Sequence, residues 1–104
     1  MRVTVPAPKR TRYRKMIERD VEIVNRLGLH ARAAAKLVHL ASKYRSNISL
    51  AMNGEVIDAK SILGILLLAA AQGSRVLVRC EGDDEEDAMV AVTGLIANRF
   101  EEES

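Results

Sequence analysis

The stretch Ile48-Ser49-Leu50-Ala51-Met52-Asn53-Gly54-Glu55-Val56-Ile57-Asp58 decides the architecture of this 104-residue chain. Ile48, Leu50 and Met52 alternate with Ser49 and Ala51, the two-residue period of a strand with one buried face. Asn53-Gly54 then gives a two-residue hairpin signal, because both residue types tolerate the positive φ that such a turn demands. A hairpin therefore sits at mid-chain, and what flanks it sets the fold class. Upstream, Glu18 to Val24 sets Glu18, Asp20 and Glu22 against Val21 and Ile23, a half-buried strand. Ala34, Leu37, Val38 and Ala41 follow at i, i+3, i+4, i+7, one face of a helix, with Arg32, Lys36 and Lys43 off that face. Downstream, Ser61 caps a short helix through Leu68 that is expected to end near Gln72-Gly73, and Arg75 to Glu81 forms the last strand. Asp83 or Asp84 is placed to cap a final helix with the apolar stripe Ala88, Val92, Leu95 and Ile96 and with Glu85, Glu86 and Asp87 in its first turn. The order is βαββαβα. Elements interleaved in this way around a central hairpin imply an α+β open-faced sandwich with its helices on one face of the sheet.

Composition agrees with one small domain. Nearly half of the residues are hydrophobic (48%) but only 3% are aromatic, so the chain fills a single core and fills it with aliphatic side chains. Charge is unevenly spread, which the net value of +2 conceals. Residues 1–16 carry Arg2, Lys9, Arg10, Arg12, Arg14 and Lys15 with no acid and two prolines, and they read as a disordered basic extension. The domain itself is expected over 17–100, with 101–104 as an acidic, frayed tail. No apolar run reaches the ~18 residues that span a bilayer, no leader is visible, and the lone Cys80 alternates with Val76 and Val78 as a buried residue. A reducing cytoplasm, no membrane insertion and a monomeric state are the expectations.

Chemistry concentrates at Gly28-Leu29-His30-Ala31-Arg32. Gly28 lets the chain turn into the helix, so His30 falls at its N-cap or first turn, where unpaired amides and the helix dipole favour an anion. The same field opposes a positive charge on the ring and leaves the neutral, nucleophilic imidazole. Arg32 follows two residues on, and its planar fork suits phosphate oxygens. The combination points to phosphoryl transfer, with the Ala31 and Arg32 amides as phosphate donors. Rival chemistries find little support. His39 is about half a turn out of phase with His30 on the same helix, so the two rings cannot share a metal. The chain has no CxxC pair, no Walker-type glycine loop and no aromatic platform for nucleic acid, and Asp83 to Asp87 lacks the ligand spacing of an EF-hand.

Two segments, Asn25-Arg26-Leu27-Gly28-Leu29-His30-Ala31-Arg32 and Ala59-Lys60-Ser61-Ile62-Leu63-Gly64, with Ala71-Gln72-Gly73 after them, resemble the HPr-like phosphocarriers of the bacterial phosphotransferase system. The resemblance runs from about Ile17 to Phe100. It implies a four-stranded antiparallel sheet in the order 1-4-2-3, a phosphoryl group carried on Nδ1 of His30 with Arg32 beside it, and no metal or cofactor. By the same resemblance the donor is enzyme I, charged from phosphoenolpyruvate, the acceptor is an enzyme IIA-type protein, and Ser61 matches a serine that an HPr serine kinase phosphorylates in some branches. The carrier is then a phosphotransferase component, not a stand-alone enzyme. Ala33 stands where the family usually has proline, a replaceable position in a first helical turn. The Val21 to Arg32 segment also resembles the nitrogen-related branch, which makes a regulatory binding module controlled through Ser61 the alternative to sugar transport.

The helix after Ser61 carries Ile62, Leu63, Ile65, Leu66, Leu67 and Leu68, too many apolar side chains for one buried face of two turns. Some of them must face solvent, and an exposed apolar patch marks an interface. Ile62, Leu63 and Leu66 are the candidates for docking a partner. A phosphate on Ser61 puts negative charge inside that surface while remaining favourable for the helix dipole.

Overall fold

The computed structural model describes residues 16–104; the basic extension lies outside the described residues, apart from Met16. Seven elements follow one another in the expected order: β1 (Ile17–Glu22), α1 (Ala31–Ala41), β2 (Asn47–Met52), β3 (Glu55–Asp58), α2 (Ile62–Leu68), β4 (Arg75–Glu81) and α3 (Glu85–Ala97). The four strands form one sheet in the order β1-β4-β2-β3, and every neighbouring pair is antiparallel. At the hairpin, Asn53 and Gly54 take φ values of 53° and 84°, the two positive values that a tight turn between twisted strands requires.

Strand alternation sorts the side chains. Leu50 lies opposite Val78 and Ile48 opposite Cys80, and these residues, with Val76, are buried beneath the helices. The other face keeps the charges: Glu18 pairs with Arg79 at 2.7 Å and Asp20 with Arg75 at 3.3 Å, exposed contacts that add little stability. Ala33, Ala34, Leu37 and Ala41 of α1, Ile65 and Leu68 of α2, and Ala88, Met89, Val92 and Ile96 of α3 close the core from one side. Most of that core is aliphatic, and the chain's single phenylalanine, Phe100, is fully buried at its edge. Burial pushes the Cys80 thiol up to about 11, with Glu85 and Asp84 adding to the effect, so it stays protonated and inert.

Three local expectations are corrected. The α2 helix runs through Leu68 as expected, but the residue that terminates it is Ala69, in the left-handed conformation (φ 53°), and not Gly73. Gly73 instead serves the turn into β4, where its N–H donates to Ile23 O at 2.8 Å. Asp84 occupies the N-cap position of α3 but makes no side-chain cap. Its carboxylate reaches the α1–β2 connection and accepts from the Ser46 hydroxyl, the Arg45 amide (2.8 Å) and the Ser46 amide (2.9 Å), which hold its carboxyl down at about 2. The third correction is the largest. Glu102 does not lie in a frayed tail, because the chain turns sharply at Arg99–Glu101, with φ values of 57°, 52° and 67°, and folds back toward the start of α1.

Candidate functional site

The geometry of His30 begins two residues before it. Gly28 has φ +66°, and a Cβ there would come within 2.5 Å of Ala70 O, so only glycine lets the loop lie this close to the segment that follows α2. That approach allows the Leu29 N–H to donate to Ala70 O at 2.9 Å, and Leu29 itself is buried. His30 then enters as the N-cap of α1 in extended backbone. Its carbonyl accepts from Ala34 N at 2.8 Å, and its ring Nδ1 accepts from the Arg32 amide at 3.2 Å. The imidazole does here what a serine or aspartate oxygen does at other helix starts.

The second ring nitrogen has a partner that sequence reasoning missed. Nε2 of His30 meets Oε2 of Glu102, seventy-two residues away in the chain. The other oxygen of Glu102 accepts from Asn25 Nδ2 at 3.1 Å, and the same amide nitrogen donates to Gly28 O at 2.9 Å. Asn25 is fully buried, so one side chain ties the loop before His30 to the carboxylate behind it. The Asn25 hydrogen bond, reinforced by His30 and Lys36, holds the Glu102 carboxyl below the usual carboxylate range. Together the two ring contacts select a tautomer. A nitrogen that accepts from an amide must present its electron pair, so Nδ1 is bare and Nε2 carries the hydrogen toward Glu102.

Cations gather around this pair. Arg26, Leu27, Arg32 and Lys36 line one side of a cleft of about 330 Å³, and Glu101, Glu102, Glu103 and Ser104 line the other. Lys36 Nζ donates to Phe100 O at 2.8 Å and lies 3.5 Å from Glu101, while Arg26 Nε donates to Ser104 Oγ at 3.3 Å. Arg32 is exposed on the first turn of α1, one residue beyond the exposed Ala31. The structure thus brings His30, Ala31 and Arg32 together at one helix start.

Ser61 and the α2 surface form a second feature, linked to the first through the Leu29–Ala70 hydrogen bond. Ser61 is the N-cap of α2, and its Oγ accepts from Gly64 N at 3.1 Å. Burial of Ile65 and Leu68 turns the opposite face outward, leaving Ile62, Leu63 and Leu66 exposed. Leu67 is more exposed than any of them, at 69%. Helical spacing could have found it: with Ile65 and Leu68 inward, Leu67 lies one turn from Leu63 on the outer side. His39 is exposed and far out of phase with His30. Among the described residues no group of three or more His, Cys, Asp or Glu is placed to hold a metal ion, and no helix is long and apolar enough to cross a membrane.

Three comparisons bear on this arrangement. A family model described as the PTS HPr component phosphorylation site matches residues 17–98. The phosphocarrier protein HPr of Cupriavidus necator is 52% identical over 87 residues, covering 84% of this chain and 98% of that protein. Its counterpart in Xylella fastidiosa is 49% identical over 89 residues, 86% of this chain and all of that one. Among solved structures, an HPr from Thermoanaerobacter tengcongensis superposes with a TM-score of 0.82 at 45% identity, covering 85% of this chain and 99% of that chain.

Proposed function

This chain belongs to the HPr family, the phosphocarriers of the phosphotransferase system, and within that family we propose that His30 Nδ1 is the atom that takes and gives the phosphoryl group. The observation that carries the reading is the pair of contacts on the His30 ring, an amide on Nδ1 and a carboxylate on Nε2. Phosphorus replaces the amide hydrogen as the partner of the Nδ1 electron pair. The Ala31 and Arg32 amides then donate to phosphoryl oxygens at the positive end of α1, and the Arg32 guanidinium adds a charge-assisted fork. As the N–P bond forms, the bond from phosphorus to the donor breaks and its electron pair returns to the donor. No metal or cofactor enters the step.

The donor we assign is phosphorylated enzyme I, charged from phosphoenolpyruvate, and the acceptor an enzyme IIA-type protein. Ile62, Leu63 and Leu66, extended by Leu67, form the docking surface, since they present apolar side chains without cover and are tethered to the His30 loop. Phosphorylation of Ser61 by an HPr serine kinase closes that surface by charge while leaving the helix capped. The reading places a monomer in the cytoplasm. The position of Ser61 at the root of the exposed apolar face also favours the second reading, a regulatory module of a nitrogen-related cascade. In that case the α2 surface contacts regulators, and transfer at His30 reports the state of the cascade.

The test is incubation with enzyme I and labelled phosphoenolpyruvate. The expected result is an acid-labile label on the wild type and none on His30→Ala, with an unchanged fold. Label that persists in His30→Ala and disappears with His39→Ala contradicts the assignment.

A further inference from the structure

The transfer step uses the tautomer that the Glu102 contact selects, but it assigns that carboxylate no effect on the rate. We propose that Glu102 is a positioning residue for phosphoryl transfer, holding the proton on Nε2 of His30 so that the electron pair on Nδ1 faces the start of α1. This rests on the reading of His30 as the phosphoryl acceptor.

The contact is built by the fold at both ends. Glu102 is mostly shielded, with 14% of its side chain exposed, and His30 is 24% exposed. The fully buried Asn25 holds one carboxylate oxygen, and so aims the other at the ring. To bring Glu102 there, the backbone passes through three consecutive non-glycine residues with positive φ, a conformation that L side chains disfavour. Burial of Phe100 and the hydrogen bond from Lys36 to its carbonyl offset that cost.

The proton balance explains what the carboxylate contributes. Nδ1 loses no proton when it attacks, because it holds none; the N–P bond forms from its electron pair and the donor's bond to phosphorus breaks. Nε2 keeps its hydrogen throughout, while the ring gains positive charge as the N–P bond forms. Glu102 faces that charge from behind, with Lys36, Arg26 and Arg32 and the carboxylates of Glu101 and Glu103 as the other charged groups around the cleft. An imidazole whose second nitrogen donates to a carboxylate is fixed in orientation and is a stronger base at the first. In metal sites built on the same histidine–carboxylate pairing, removing the carboxylate costs on the order of tenfold or more.

The measurement pairs nitrogen-15 spectra of the unphosphorylated His30 ring with transfer kinetics, in the wild type, Glu102→Ala and Glu102→Asp, after thermal melts confirm that all three are folded. The wild type should show a protected Nε2–H and a bare Nδ1. In Glu102→Ala the Nε2–H should exchange rapidly, and the rate of phosphorylation at saturating phospho-enzyme I should fall by on the order of tenfold, with the half-saturating donor concentration unchanged. Glu102→Asp should recover part of both. Ring signals that are the same in Glu102→Ala and the wild type overturn the proposal, and so does a full transfer rate despite altered ring signals, which makes Glu102 a structural pin only. The spectra are read without phosphate, so they remain decisive if His30→Ala shows that the label goes elsewhere.

Discussion

The two halves of the His30 site are made in opposite ways. The front half, Gly28 to Arg32, follows local rules: a glycine at a positive φ, a polar N-cap and unpaired amides at a helix start, all within five residues. The back half, Arg99 to Glu102, goes against local preference and exists only through distant contacts with Asn25, His30 and Lys36. In the proposed transfer, local rules place the electron pair that phosphorus reaches, and the long-range half decides which tautomer presents it. A site assembled in this manner is half visible in a sequence, and the hidden half is the one most sensitive to the integrity of the core.

The contrast can be broken most strongly at Phe100. Truncating this fully buried ring in Phe100→Ala should cost about 3–5 kcal/mol, seen as a large fall in urea midpoint, and should release Glu102 from the His30 ring. A loss below about 1 kcal/mol, the scale of an ordinary surface substitution, would mean that the turn is not anchored and that the tail frays.

The front half yields to a smaller change. Gly28→Ala places a methyl group 2.5 Å from Ala70 O at a φ of +66°, so the loop must move or strain, and we expect a destabilisation of about 2 kcal/mol together with slower transfer. Unaltered stability would show that the close approach of the two loops does not hold His30 in place.

Legibility followed the range of the interactions. The strand alternation at Ile48 to Met52, the Asn53-Gly54 turn and the apolar stripe of α1 are set by residues a few positions apart, and all appear in the structure as read. The left-handed cap of α2 at Ala69 was not legible, because an alanine takes that conformation only where tertiary packing imposes it, and Gly73 offered the stronger local signal. Asp84 misled for the same reason: its carboxylate caps nothing in its own helix and instead serves two amides and a hydroxyl thirty-eight or thirty-nine residues earlier. Glu102 stood in a run of acids that reads as solvated tail, and only the burial of Phe100 explains why the chain returns to the site.

The smallest expected effect on stability separates docking from folding at Ser61. Ser61→Ala removes the hydrogen bond to Gly64 N and should cost ~1 kcal/mol with transfer nearly unchanged. Ser61→Asp should keep the cap but raise the donor concentration needed for half-maximal transfer, and Leu63→Ala should do the same by removing exposed apolar surface. If both variants match the wild type at low donor, α2 does not receive enzyme I, and the regulatory reading gains.

The proposed transfer turns on one atom, Nδ1 of His30, and a single spectrum addresses it. Phosphorylated protein, labelled with nitrogen-15 in its histidine rings, should show phosphorus–nitrogen coupling at Nδ1 of His30, with Nε2 still bearing its hydrogen. Coupling at Nε2, or on the His39 ring, would contradict the account.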